Sequence, residues 1–188
     1  GMGPLQLVMD STINIISTSS ESTRRIGFAI GESAHSGDVF LLTGELGAGK
    51  TCLTQGIAEG VGISGHTRSP TFVLMTQYTG NLTVYHADLY RINNPSEAWD
   101  IGLIEQLTGE GICIVEWADK AEEIFPEECL WINLSYYTSQ NESKSSANTV
   151  EFKNTKNLRE ILIYPSSPRY NTLVRRLSNI ANDEIENI

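Results

Sequence analysis

The chain of 188 residues carries 13 Lys and Arg against 23 Asp and Glu, which gives a formal net charge of −10. A protein this acidic repels polyanions, so a broad nucleic-acid-binding face is not expected. With 40% hydrophobic and 19% charged residues, the composition is that of a globular protein with one buried core and excludes a disordered or collagenous chain.

The first half of the chain predicts alternating strands and helices. Three isoleucines over residues 13–16 indicate a strand, and the Ser/Thr cluster at 17–20 with Glu21 is typical of a helix N-terminus. The continuous apolar run 39–42 predicts a strand buried on both faces of a parallel sheet. A glycine-rich loop follows, and apolar residues then recur at helical spacing from Thr51 to the break at Gly60.

The second half predicts a hairpin, further strands and a terminal helix. In order, these are strands 72–78 and 82–86 joined by a turn, a helix over 97–107, strands 112–115 and 130–136, a polar loop 138–148, a strand 150–152 and an amphipathic helix from Asn171. We expect a core domain at 12–136 and a variable extension at 137–188, packed on the same domain.

The loop after the apolar run matches the G-x-x-x-x-G-K-[ST] pattern of phosphate-binding P-loops in full. Its residues are Gly44, Glu45, Leu46, Gly47, Ala48, Gly49, Lys50 and Thr51. In this setting the backbone N–H groups face the β-phosphate, Lys50 reaches the β- and γ-oxygens, and the Thr51 hydroxyl is placed for Mg²⁺. The predicted fold is therefore an α/β P-loop NTPase, a three-layer sandwich whose mostly parallel sheet is extended by antiparallel strands.

A P-loop enzyme also needs an acidic group at the end of a neighbouring strand. Glu116 directly follows the predicted strand 112–115, and Asp88 follows the strand 82–86. Alternatively, Asp88 is a cap or turn residue and Glu116 a surface carboxylate. We expect Glu116 to contact the metal and Asp88 to act with it.

Other residues near these motifs allow two interpretations each. Ser69 and Thr71 lie where nucleotide-sensing loops of P-loop switches are found, although Pro70 is equally consistent with a simple turn. His86 is either a structural or a catalytic histidine, and Arg91 is either part of a surface ion pair or an arginine finger.

Four motifs together resemble those of the TsaE (YjeE) family. They are the P-loop Gly44–Thr51, Ser69-Pro70-Thr71-Phe72, His86-Ala87-Asp88-Leu89-Tyr90-Arg91 and Val115-Glu116-Trp117-Ala118-Asp119. The resemblance runs from about Thr12 to Leu134 and includes Thr23, which matches an early threonine that the family has near the adenine.

The resemblance implies a site for ATP and Mg²⁺. Its implied nucleotide-binding residues are Thr23, Glu45, Leu46, Gly47, Ala48, Gly49, Lys50, Thr51, Cys52 and Trp117. It further implies that Thr51 and Glu116 hold Mg²⁺ and that Lys50, Asp88 and Glu116 carry hydrolysis, with Ser69 and Thr71 in the switch.

The implied function is that of an ATPase required for threonylcarbamoyl modification of the adenosine beside the anticodon in tRNAs that read ANN codons. The implied partners are the TsaB and TsaD proteins, which use threonylcarbamoyl-adenylate made by TsaC. Since the chain is acidic, we expect no stable direct binding of tRNA.

Two departures from the family pattern are visible. Glu45 stands where the family usually has Asp, and the family often offers an Arg to the nucleotide after the strand 130–134. Here that region is the polar loop around Asn141, in which Lys144 is the only cation.

The alternative function is that of a small-molecule or nucleoside kinase, which would also use a P-loop and a strand-end acid. Kinases usually add an Arg-rich lid, whereas no Arg occurs between Arg91 and Arg159. A GTPase is disfavoured because the chain has no N-K-x-D sequence to read guanine.

The cysteines and the hydropathy pattern predict a cytoplasmic protein. Cys52, Cys113 and Cys129 are odd in number and lack CxxC spacing, which argues against a disulfide framework and a zinc site and favours a reducing compartment. No uncharged apolar segment approaches membrane-spanning length, so no membrane association is expected.

Overall fold

The computed structural model describes residues 12–45, 47–65, 74–137 and 158–186. The strands are β1 (Ile13–Ser17), β2 (Val39–Gly44), β3 (Met75–Thr79), β4 (Thr83–Asp88), β5 (Ile112–Glu116), β6 (Leu130–Tyr136) and β7 (Arg159–Pro165). The α-helices are α1 (Ser20–Glu32), α2 (Lys50–Gly60), α3 (Glu97–Asp100), α4 (Leu103–Leu107) and α5 (Asn171–Glu186). Short 3₁₀ segments cover Ala118–Ile124 and Pro168–Tyr170.

One mixed sheet contains the strands in the order β1-β7-β6-β2-β5-β4-β3. The central strands β6, β2, β5 and β4 are parallel to their neighbours within that group. β7 is antiparallel to both β6 and β1, and β3 is antiparallel to β4. The predicted class, an α/β fold whose mostly parallel sheet is extended by antiparallel strands, is confirmed.

β2 shows why its sequence is apolar at every position from Val39 to Leu42. Phe40 and Leu42 lie in a core cluster with residues of α1, α2 and α5, whereas Val39 and Leu41 lie in a second cluster with residues of α3 and α4. Because alternate side chains of a strand face opposite sides of the sheet, a strand covered on both faces must be apolar throughout.

α1 and α2 pack backbone against backbone on one face of the sheet. The helix α1 begins after the N-cap Ser19, whose hydroxyl accepts a hydrogen bond from the Ser22 N–H at 3.0 Å. A Cβ atom at any of four helical glycines would lie 2.0 to 2.4 Å from a backbone oxygen of the facing helix: Gly27, Gly31, Gly56 and Gly60. The P-loop helix is therefore fixed tightly against α1.

The structure corrects one predicted helix and extends one strand. The single helix expected over 97–107 is wrong, because Gly102 adopts a left-handed φ of 81° and divides the segment into α3 and α4. The hairpin of β3 and β4 is confirmed, but β4 continues to Asp88, two residues beyond its predicted end. Residues 72 and 73 of the first predicted strand lie outside the described residues.

The strand β7 was not predicted from the sequence, and it lies inside the sheet between β1 and β6. The predicted loop 138–148 and strand 150–152 fall outside the described residues, whereas the predicted helix from Asn171 is confirmed as α5. The division into a core at 12–136 and an extension at 137–188 stays a prediction. Among the described residues, no helix is both long and apolar enough to cross a membrane.

Candidate nucleotide site

The glycine-rich loop joins the central strand β2 to the helix α2. Gly44, Gly47 and Gly49 have φ values of 130°, 80° and 105°, which side chains other than that of glycine rarely tolerate. Gly44 is constrained further, since a Cβ atom there would lie 1.9 Å from the Leu134 carbonyl oxygen of β6. The loop therefore curls closely over the sheet and delivers the chain to the N-terminus of α2, which has no side-chain cap.

Lys50, the first residue of α2, is only 5% exposed. Its Nζ donates hydrogen bonds to the Gly44 and Glu45 carbonyl oxygens at 2.8 and 2.7 Å, and it lies 4.2 Å from the centroid of the Trp117 ring system. Burial lowers the pKa of Lys50, an effect that the nearby carboxylates, Glu116 foremost, oppose. The ammonium group is thus held within the loop, facing the acidic residues.

The two predicted acids meet at the carboxyl ends of adjacent parallel strands. Asp88 is the last residue of β4 and pairs in register with Glu116, the last residue of β5. Burial raises the pKa of Asp88, and the Glu116 charge adds to this effect, while the Tyr90 N–H and Lys50 oppose it. The interpretation of Asp88 as a turn residue is also supported in part, since its Oδ1 accepts a hydrogen bond from the Tyr90 N–H at 2.9 Å.

Trp117 directly follows Glu116 and has a left-handed backbone with φ 58°. Among the described residues other than glycine, it is the one with positive φ. Its ring system makes a tilted contact with the Tyr90 ring, with 4.9 Å between the centroids. The Lys50 Nζ lies over the same ring system. The strained turn thus places an aromatic side chain beside the lysine of the loop.

A cleft on one side of the loop brings most of these groups together. This cleft, which we call the acidic cleft, has a volume of about 480 Å³. The residues that line it are Gly47, Gly49, Lys50, Thr51, Cys52, Gln55, Asp88, Tyr90, Glu116 and Trp117. The candidates Lys50, Thr51, Asp88, Glu116 and Trp117 therefore share one cavity.

A second cleft of about 400 Å³ lies on the α1 side of the loop, and we call it the α1 cleft. It is lined by Ser19, Ser20, Glu21, Gly47, Ala48, Gly49, Cys52 and Arg159. Three residues line both clefts, namely Gly47, Gly49 and Cys52, and the Cys52 Sγ donates to the Ser20 carbonyl oxygen at 3.1 Å.

Arg159 is a residue of the site that the sequence reasoning missed. It lies on β7 opposite Tyr136 of β6, with its guanidinium 4.2 Å from the Tyr136 ring centroid. The Tyr136 hydroxyl in turn lies 2.9 Å from the position that a Cβ at Gly47 would occupy. The short apolar run Ile161-Leu162-Ile163 was the signal that could have indicated a strand here, although it does not show that this strand lies beside the loop.

The structure describes some of the remaining predicted residues and not others. Thr23 is 2% exposed and lines neither cleft; its Oγ1 lies 2.6 Å from the Ser17 Oγ, and its Cγ2 lies 3.8 Å from the position of an added Cβ at Gly49 of the loop. Leu46, Ser69 and Thr71 lie outside the described residues. Arg91 is exposed and does not line the acidic cleft.

The oxygen donors of the acidic cleft suit a small hard cation better than a transition metal. Thr51 offers a hydroxyl, and Asp88 and Glu116 offer carboxylates, the donor types that Mg²⁺ prefers. Among the described residues, no three His, Cys, Asp or Glu side chains are grouped so as to hold a metal by themselves.

The chain is similar in sequence and in structure to known proteins. Residues 17–145 match the family model described as "Threonylcarbamoyl adenosine biosynthesis protein TsaE". A Bacillus subtilis protein named tRNA threonylcarbamoyladenosine biosynthesis protein TsaE is 47% identical over 113 residues, 60% of this chain and 70% of that protein. A Treponema pallidum protein of the same name is 40% identical over 119 residues, 63% of this chain and 88% of that protein. The crystal structure of Bacillus subtilis YdiB matches with a TM-score of 0.68 and 33% identity, covering 89% of this chain and 95% of that one.

Proposed function

Because the chain belongs to the family of the threonylcarbamoyl adenosine biosynthesis protein TsaE, we propose that it is an Mg²⁺-dependent P-loop ATPase required for threonylcarbamoyl modification of tRNA. The observation that carries the proposal is the convergence of Lys50, Asp88 and Glu116 in the acidic cleft beside the P-loop. Hydrolysis of a nucleoside triphosphate requires a cationic side chain that binds the phosphates and acidic side chains that hold the metal and the water. Lys50 is the cationic side chain here, and Asp88 and Glu116 are the acidic ones.

The loop would bind the phosphates of ATP through its backbone and Lys50. The uncapped N-terminus of α2 offers N–H groups to an anion, and the left-handed glycines allow the backbone to approach it. The Lys50 Nζ, which now donates to two loop carbonyls, would turn toward the β- and γ-oxygens. Arg159, in the α1 cleft, would add a second cation beside the loop.

The carboxylates would organise hydrolysis. Thr51 and Glu116 would hold Mg²⁺, and Asp88 would orient the attacking water. When bound, the ion supplies charge neutralisation for the phosphate oxygens. Without it, the acidic side chains around Lys50 would oppose a triphosphate, so the cleft suits the metal complex of ATP better than free ATP.

The partners would be the TsaB and TsaD proteins, and the chain would not hold tRNA by itself. Its net charge of −10 provides no excess of cations to neutralise a run of phosphates. A segment with Ser69 and Thr71 that changes with the γ-phosphate would let the ATP and ADP states offer different surfaces to these partners.

The test is phosphate release from ATP by the purified chain, alone and with TsaB and TsaD. Lys50→Ala and Glu116→Ala should each lower turnover at least about 10²-fold, the scale of losing one preorganised charge-stabilising group. Lys50→Ala should also weaken ATP binding, whereas Glu116→Ala should retain most of the affinity for ATP. Arg175→Ala and Glu105→Ala, which change exposed residues of α5 and α4, serve as matched controls with unchanged turnover.

Two outcomes would contradict the proposal. Turnover by Glu116→Ala equal to that of the wild type would remove Glu116 from the site. Preference for GTP, or transfer of phosphate to a small molecule in place of release to water, would favour a GTPase or the alternative kinase. Tight binding of tRNA by the isolated chain, with no association with TsaB and TsaD, would contradict the proposed partners.

A further inference from the structure

His86 makes a direct contact with the acid of the proposed site. It lies on β4 two residues before Asp88, so both side chains face the side of the sheet that Glu116 faces. The His86 Nε2 is 2.6 Å from the Glu116 Oε2, and the two residues are 1% and 3% exposed. A buried hydrogen bond this short fixes the direction of the carboxylate.

The second ring nitrogen of His86 has no hydrogen-bond partner in the part of the chain that the structure describes. Among the described residues, two buried side-chain polar atoms lack a hydrogen-bond partner, the His86 Nδ1 and the Thr76 Oγ1. An ionised carboxylate only accepts, so the proton of a neutral ring belongs on Nε2, where it is donated to Glu116. Nδ1 is then an acceptor that needs a donor.

Thr76 is in the right place to provide that donor. It is the cross-strand partner of His86 in the β3–β4 ladder, so the two side chains project from the same face. A hydroxyl and an acceptor nitrogen that are both buried would be satisfied by a change of the Thr76 rotamer or by one bridging water.

We propose that His86 is a positioning residue for ATP hydrolysis, which directs the Glu116 carboxylate through an Nε2–H hydrogen bond while the Thr76 hydroxyl supports Nδ1. This proposal rests on the proposed function of the site. Glu116 lines the acidic cleft, whereas His86 lies beneath it, so His86 acts through Glu116 and does not touch the nucleotide. Without the donor, the carboxylate would rotate, and metal binding would weaken along with turnover.

Two amide substitutions separate this role from packing. In His86→Gln, the side-chain Nε2 lies about as far from the Cα atom as the imidazole Nε2 does, so a donor toward Glu116 remains. In His86→Asn, the amide nitrogen matches the Nδ1 position, and the donor toward Glu116 is lost. Both variants bury a neutral amide, which makes His86→Gln the matched control for His86→Asn.

The experiment measures ATP turnover with TsaB and TsaD, and Mn²⁺ affinity in the presence of ADP by electron paramagnetic resonance. We expect His86→Asn to lower kcat at least about tenfold and weaken Mn²⁺ binding, with the KM for ATP changed less than about threefold. His86→Gln should stay within about threefold of the wild type in both measurements. In a Glu116→Gln background, His86→Asn should cause no further loss, because the two residues act as a unit.

Several results would overturn the proposal. Equal losses in His86→Asn and His86→Gln would indicate packing alone, and additive losses in the double variant would indicate independent roles. If circular dichroism shows that the His86 variants do not fold, Thr76→Val provides the test, with an expected loss of kcat of about two- to fivefold and full activity as the contrary result. A wild type without ATP binding or turnover would refute the proposed function itself, whereas an inactive Glu116→Gln beside a fully active His86→Asn would refute only the role of His86.

Discussion

The contact between α1 and the P-loop helix α2 provides a sharp test of how the site is held. A Cβ atom added at Gly27 of α1 would lie 2.4 Å from the Leu53 carbonyl oxygen of α2, its nearest neighbour. The next neighbours are also backbone atoms, so no side-chain rotation can relieve the contact. The substitution Gly27→Ala therefore forces the helices apart.

Two opposing effects determine the magnitude. Real Cβ atoms stay at least 3.0 Å from such neighbours, so the helices must separate by roughly 0.6 Å. Because backbone atoms cannot rotate away, we take the upper end of the usual cost of overpacking, about 3 kcal/mol. Alanine in a helix interior gains about 1 kcal/mol over glycine. The net loss is about 2 kcal/mol, which corresponds to a melting temperature lower by about 4–8 °C for a chain of this length.

Thermal unfolding followed by circular dichroism, without nucleotide, measures this loss. Gly109→Ala is the control, since its added Cβ would lie 3.3 Å from the nearest atom and its φ is not left-handed. We expect the control to shift the melting temperature by less than about 2 °C. A melting temperature of Gly27→Ala equal to or above that of the wild type would refute the argument that backbone contact holds the two helices.

Three further predictions concern individual side chains. At pH 8, iodoacetamide should modify the partly exposed Cys52 and not Cys113, because burial raises the pKa of Cys113 to about 12, and mass spectrometry would detect both. Burial also raises the pKa of Cys52, so its labelling should speed up as the pH rises, and saturating Mg²⁺-ATP should slow it because the thiol lines both clefts. Tyr170→Phe should lower the free energy of unfolding in urea by about 1–3 kcal/mol, because the Val39 N–H, 3.0 Å from the Tyr170 hydroxyl, loses its acceptor. Arg159→Ala should weaken ATP binding about tenfold in a calorimetric titration, and an unchanged affinity would remove Arg159 from the site.

The elements that the sequence predicted are those with local signals. β2 was identified from an apolar run and the loop from its glycines, because burial on two faces and left-handed turns each demand particular residue types at consecutive positions. The helix division at Gly102 was missed because a glycine inside a helical pattern is compatible with either outcome.

The features that could not be predicted depend on contacts distant in sequence. β7 pairs with β1 through partners such as Ile13 and Ile163, and no local pattern specifies that pairing. The same holds for Arg159, whose place beside the P-loop depends on the pairing of β7 with β6, where it lies opposite Tyr136. The His86–Glu116 contact joins residues 30 positions apart, so the sequence left the role of His86 open.

Trp117 shows why strain is concentrated beside the site. In a continuing strand, residues 116 and 117 would face opposite sides of the sheet, and only one of them could line the acidic cleft. The left-handed backbone at Trp117 interrupts that alternation, so that both the Glu116 carboxylate and the Trp117 ring system border the cleft. A left-handed residue other than glycine costs about 1–2 kcal/mol. The cation–π contact with Lys50 contributes about 0.5–2 kcal/mol, and burial of the indole adds more, so the strain is offset by the contacts it makes possible.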